Sequence, residues 1–305
     1  MIDPELRRRL TGVFTALVTP FRDGALDIPA LEKLIEAQIA AGVAGLVPIG
    51  TTGEAATLSE EEADTVIRTT VKAAAGRAFV MAGAGSNATR LAIGKAARAE
   101  AAGADGLLLV TPYYNKPSQD GLFDHFSAIA SAVSLPIMLY SVPGRTGVEI
   151  APGTAARLAA AHSNIVGIKE AGGKAERITE LRLAVGQDFV IHSGDDGLTL
   201  PFLALGADGV TSVASNLLPT EVVALYRAWF DGDPREARRV HEALFDLIGH
   251  LFIESNPVPV KTALARTGLI GTELRAPLAP LRPENLKALE ASLKSFESRA
   301  NIKNI

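Results

Sequence analysis

The chain has no cysteine among its 305 residues. Disulfides, thiolate nucleophiles and thiolate metal sites are therefore excluded. Aromatic residues are scarce at 5%, with one Trp and four Tyr. No sign of charge dominates: 30 Lys and Arg stand against 34 Asp and Glu, for a net charge of -4. That balance argues against a nucleic-acid partner, which calls for a basic face. The N-terminal segment does not read as a secretory signal, since Arg7, Arg8 and Arg9 have no apolar run behind them. These arginines read as a solvated helix start or tail. The longest stretch free of charge, residues 126–144, is cut by Pro136 and Pro143 and diluted by serines. It reads as a helix end followed by a buried strand, not as a membrane span. The expectation is a cytoplasmic protein with no membrane partner.

What the chain has is a repeated pattern. Eight short apolar runs recur at Val13–Val18, Gly45–Ile49, Ala78–Ala82, Gly106–Val110, Pro136–Tyr140, Ile165–Ile168, Phe189–Ile191 and Gly209–Val213. Each is apolar throughout, as strands of a parallel sheet covered on both faces are. Amphipathic helical patterns lie between them, such as Ile28–Ala41, and Ser59 with Glu62 has capping-box spacing. Three helix-to-strand joints repeat: Gly42-Val-Ala-Gly45, Gly103-Ala-Asp-Gly106 and Gly206-Ala-Asp-Gly209. The first glycine of each suits a left-handed helix end and the second a tight turn into the strand. The fold class is α/β, a (β/α)8 TIM barrel with a C-terminal helical extension. The barrel is expected over 1–218, closed by an eighth helix at about 219–231. A helical domain is expected over 232–305.

Barrel enzymes carry their chemistry where strands end and loops begin. Those ends hold Gly50-Thr51-Thr52-Gly53-Glu54, Thr111-Pro-Tyr-Tyr114-Asn, Tyr140 through Arg145 to Gly147, Lys169-Glu170 and Ser193-Gly194-Asp195-Asp196. Lys169 closes a run too apolar for a surface strand. A desolvated lysine favours its neutral form, and a neutral amine attacks carbonyls. Gly167, on the same face, leaves room beside it. The competing reading is a lysine paired with an acid such as Glu170. Lys261, after Pro257-Val-Pro-Val260, is a rival nucleophile on an expected C-terminal helix. Tyr140 is a phenol on the adjacent strand end, fit to move protons. Thr51 and Thr52 are candidates for a carboxylate or a proton, and Arg145 for a carboxylate fork. Gly83-Ala-Gly85 imitates a dinucleotide fingerprint, but the next strand ends without the acid a ribose needs. Five scattered histidines make no close ligand pair, and Asp195-Asp196 reads as a loop cap, so no metal is expected.

Together these motifs resemble the pyruvate-dependent class I aldolases of the dihydrodipicolinate synthase and N-acetylneuraminate lyase superfamily. The resemblance covers about residues 11–295. It implies a barrel with C-terminal helices, in agreement with the pattern above. It further implies an imine between Lys169 and pyruvate, with Tyr140 as general acid and base. Thr51 and Tyr114 would complete a proton relay, Tyr114 coming from a neighbouring subunit. Thr52, the Thr211 backbone and Gly194 would bind substrate, and Arg145 would take the carboxylate of L-aspartate 4-semialdehyde. No cofactor is implied, and the assembly would be a homotetramer. The alternatives are a sister lyase acting on a 2-keto-3-deoxy sugar acid or N-acetylneuraminate, and a silent relative that only binds a keto acid. Ser141, Gly144 and Thr211 depart from residues common in the family. Glu60, Ala63 and Leu91 stand where lysine-sensitive relatives carry ligand-binding side chains, which implies weak or absent inhibition by L-lysine.

Overall fold

Each apolar run forms one parallel strand in the computed structural model, which describes residues 2–300. The strands are β1 (Gly12–Ala16), β2 (Gly45–Val47), β3 (Phe79–Gly83), β4 (Gly106–Val110), β5 (Ile137–Ser141), β6 (Ile165–Glu170), β7 (Val190–Ser193) and β8 (Gly209–Ser212). Each pairs with the next, and β1 pairs with β8 from Gly12↔Gly209 onward, which closes the barrel. The expected edges shift by up to a few residues for local reasons. β2 stops before Pro48, which has no N–H to give the ladder. β6 and β7 run past their apolar stretches to include Lys169, Glu170, His192 and Ser193.

Two apolar layers hold the barrel. Between strands and helices lies the larger core, with Leu34, Ile35, Leu107, Leu139, Ile168 and Ile191 among its residues. Inside the barrel a second cluster stacks Phe14, Phe79, Met81, Leu108, Met138 and Val190 above Leu10. The repeated glycines serve this interior. Gly42 ends its helix at φ 87° as expected. Gly45, expected as a turn residue, is instead a matter of room: a Cβ there would lie 2.2 Å from the Phe14 ring.

The arginine triplet is a helix start as expected, with Arg8 solvated beside Glu5, but Arg7 and Arg9 are tied to the barrel. The helix Pro4–Arg9 sits under the barrel, with Arg7 on Asp208 (2.6 Å) and Arg9 on Asp105 (3.0 Å). At the other end, the helix Pro234–His250 brings Phe245, Ile248 and Gly249 to the mouth of the barrel. It is followed by the helices Val258–Arg266 and Pro283–Ala300. Leu244, Leu289, Leu293 and Phe296 join this extension to the main core. No helix among the described residues is long and apolar enough to cross a membrane.

Candidate active site

The alternation of β6 sends Lys169 into the barrel and Glu170 out of it. Glu170 is buried, accepts from Gly172 N (2.7 Å) and meets Arg177 (3.3 Å). Burial pushes its carboxyl above the ordinary range, and the Arg177 charge opposes that shift. The acid next to Lys169 in sequence is therefore not its partner. Lys169 is 6% exposed, stands in register with Tyr140 on β5 and His192 on β7, and holds its Nζ 4.3 Å from the centre of the Tyr140 ring. Gly194 makes the room for it: a Cβ there would lie 2.9 Å from Lys169 Cε and 2.6 Å from Ala171 Cβ. Gly167 does a different job from the one its position suggests. A Cβ at Gly167 would strike the Val190 carbonyl at 2.6 Å, one layer below the lysine.

Lys169 lines a cavity of about 530 Å³ at the barrel mouth, together with Thr51, Thr52, Tyr140, Arg145 and Gly194. Val47, Leu108 and Val213 form apolar wall, and Phe245, Ile248, Phe252 and Asn256 form the side given by the C-terminal extension. The turn after β2 is tight: Gly53 N donates to Gly50 O and Glu54 N to Thr51 O, both at 3.1 Å. Ile49 and Glu54 take left-handed φ values of 57° and 55° to close it. Asn256 Nδ2 donates to Thr52 Oγ1 (2.9 Å). Arg145 is exposed on the short helix Pro143–Thr146, and its Nη2 lies 3.5 Å from the Asn256 carbonyl. Among the described residues no hydrogen bond joins the hydroxyls of Thr51 and Tyr140, which share the cavity.

Two residues of the expected site lie apart from this cavity. Thr211 is buried in the barrel, where its Oγ1 meets His192 Nδ1 (3.0 Å). Tyr114 is 91% exposed on the loop after β4, with φ 75°. The rival lysine lies elsewhere. Lys261 is buried outside the cavity, with Nζ on Glu54 Oε1 (2.6 Å) and the Thr19 carbonyl (3.0 Å). Sequence reasoning missed Asn256, the Phe245–Phe252 face and His192. The first two come from the extension, where Phe245 and Ile248 have the i, i+3 spacing of one face of Pro234–His250 and Phe252 follows just beyond its end. His192 Nε2 donates to the Leu10 carbonyl (2.7 Å), so Nδ1 accepts from Thr211. Complete burial pushes this imidazole down to about 4, so it is neutral at pH 7.

Residues 9–296 match the model of the Dihydrodipicolinate synthetase family. The 4-hydroxy-tetrahydrodipicolinate synthase of Pelobacter propionicus is 51% identical over 285 residues, covering 93% of this chain and 98% of the relative. Among solved structures, the 4-hydroxy-tetrahydrodipicolinate synthase of Methylacidiphilum fumariolicum SolV aligns with TM-score 0.93 at 52% identity, over 95% of this chain and 98% of that one. A chloride-inhibited dihydrodipicolinate synthase from Acinetobacter baumannii, solved with pyruvate, aligns with TM-score 0.91 at 44% identity, over 94% and 99%.

Proposed function

The chain belongs to the dihydrodipicolinate synthetase family, and from that membership and the cavity we propose that it is a lyase, a 4-hydroxy-tetrahydrodipicolinate synthase of lysine and diaminopimelate biosynthesis. It condenses pyruvate with L-aspartate 4-semialdehyde. The observation that carries the residue roles is that Lys169 is the one lysine lining the cavity among the described residues: it stands on an apolar strand, its Nζ 4.3 Å from the centre of the Tyr140 ring, with hydroxyls and a guanidinium around the rim.

The chemistry follows from those positions. The neutral Lys169 amine adds to the pyruvate carbonyl, and the carbinolamine loses water to give an iminium. Tyr140 moves the protons of that step, with Thr51 and a Tyr114 donated by a neighbouring subunit completing the relay. The iminium draws electrons from the methyl group, which gives up a proton and becomes an enamine carbon. That carbon attacks the aldehyde of the second substrate, and the aldehyde oxygen takes a proton. The substrate amine then attacks the imine carbon, expels Lys169 as a free amine and closes the ring. Thr52 and the Thr211 backbone hold the pyruvate carboxylate. Gly194 lines the substrate path, and Arg145 pairs with the second carboxylate. A homotetramer built as a dimer of dimers suits Tyr114, whose 91% exposure leaves its phenol outside its own cavity.

Initial-rate assays of condensation and of cleavage test the reading. Pyruvate is expected to be consumed with L-aspartate 4-semialdehyde, and no pyruvate is expected to be released from N-acetylneuraminate or a 2-keto-3-deoxy sugar acid, whose polyol part gives Arg145 no second carboxylate to fork. The reverse preference would assign the chain to the sister lyases.

A further inference from the structure

Beside the cavity lies a charged pair that the mechanism above leaves unused. Lys261 Nζ and Glu54 Oε1 are 2.6 Å apart, and both side chains are 1% exposed. Both partners make further contacts. Glu54 Oε2 accepts from Arg275 N (2.8 Å), while Lys261 Nζ also donates to the Thr19 carbonyl (3.0 Å) and lies 4.4 Å from the centre of the Phe21 ring. Thr19 in turn donates through Oγ1 to the Gly53 carbonyl (2.7 Å). A buried ion pair is a weak source of stability, because the desolvation of both charges offsets their attraction. Its distinctive property is that it holds one geometry.

The geometry it holds is that of the Gly50–Glu54 turn. Glu54 ends the turn in a left-handed conformation, φ 55°, which an unrestrained glutamate rarely adopts. Two residues earlier, Thr52 takes a hydrogen bond from Asn256 (2.9 Å), on the same C-terminal segment that carries Lys261 five residues later. The turn is thus gripped at Thr52 and at Glu54 by one stretch of chain from the extension. Thr51 is left facing the cavity. We propose that Glu54 and Lys261 are positioning residues. Their pair sets the Thr51–Thr52 turn at the angle that pyruvate needs and makes the C-terminal helices part of the active site. This rests on the functional reading above, in which the two threonines meet pyruvate.

Paired variants separate positioning from mere support of the fold. Lys261→Met leaves a buried carboxylate uncompensated, so it is expected to lower both the melting temperature and kcat/KM for pyruvate. Glu54→Gln combined with Lys261→Met removes both charges and keeps an acceptor for Arg275 N. The double variant is expected to regain most of the lost melting temperature. Its kcat/KM for pyruvate is expected to stay roughly ten- to a hundredfold low, the effect of a misplacement near 1 Å. The KM for the aldehyde should change less than kcat/KM for pyruvate, since Arg145 stands on the loop after β5 and meets this segment only at the Asn256 carbonyl (3.5 Å). A double variant that recovers melting temperature and pyruvate kcat/KM together overturns the proposal. Should the double variant fail to fold, Glu54→Asp decides: it keeps the charge and shortens the arm by one methylene. A fall in pyruvate kcat/KM at near-native melting temperature supports positioning, and an unchanged kcat/KM contradicts it. Borohydride trapping of pyruvate on the wild type runs alongside. An absent adduct there removes the functional reading and the proposal with it, whereas a normal adduct with unaffected variants removes the proposal alone.

Discussion

At the residue scale, Lys169 was legible because a charged residue closing an unbroken apolar run has few reasons to be there. What the run does not reveal is the side it faces. Strand alternation decides that, sending Glu170 to Arg177 and Lys169 to Tyr140. Asn256 was not legible, since a polar residue before a proline looks like any loop and its partner Thr52 lies 204 residues away. Gly194 was placed with the substrate, but its contacts give it a steric duty. Gly194→Ala puts a Cβ 2.6 Å from Ala171 Cβ and 2.9 Å from Lys169 Cε. Imine formation with pyruvate should slow by roughly ten- to a hundredfold in a barrel that still folds, as read by the rate of borohydride-trapped adduct. An unchanged rate would mean that the lysine stem has room to spare. Arg145→Ala should remove a charge-assisted pair worth about 1.5–3 kcal/mol, discounted for an exposed side chain to roughly tenfold in kcat/KM for the semialdehyde. Pyruvate trapping should survive. Normal handling of the semialdehyde by this variant would show that another group reads the second carboxylate.

At the element scale, the strands were legible as apolar runs and the helices as periodic ones, to within a few residues. The inside of the barrel was not, because parallel strands are apolar on both faces and periodicity cannot say which face is which. His192 shows the consequence. The apolar run of β7 ends at Ile191, yet the strand continues and turns a histidine into the barrel interior. The pH dependence follows from its neutral state. The unfolded imidazole takes a proton near 6.5, while the folded one resists it down to about 4. The stabilising difference is therefore complete above 6.5 and is lost as pH falls toward 4. At about 1.4 kcal/mol per unit, roughly 2 kcal/mol is gone by pH 5. Urea unfolding of the wild type against His192→Leu with Thr211→Val should show this. The double variant should lose roughly 2 kcal/mol less between pH 8 and pH 5. Parallel curves would mean that His192 does not couple folding to acid. The placement of Pro234–His250 was equally hidden, since an apolar helix face does not say which end of a barrel it covers.

At the scale of the whole molecule, the proposed relay asks Tyr114, 91% exposed on its own subunit, to serve the site of a neighbour. Mixing inactive Lys169→Ala subunits with Tyr114→Phe subunits should restore part of the activity, because one site in the mixture then regains both groups. Activity no higher than the sum of the separate preparations would place Tyr114 outside the reaction. The lysine response should be weak. Glu60 is engaged by Arg98 (2.7 Å), and Ala63 and Leu91 offer a cationic amino acid neither an acceptor nor a charge. Half-inhibition at submillimolar L-lysine in an initial-rate assay would contradict that. In the mechanism proposed above, one lysine of this chain, Lys169, carries pyruvate as an imine. Incubation with pyruvate, reduction with borohydride and peptide mass mapping measure it directly. The expected result is one adduct, on the peptide holding Lys169, absent in Lys169→Ala. An adduct on Lys261, or none in a preparation that turns over, would contradict the claim.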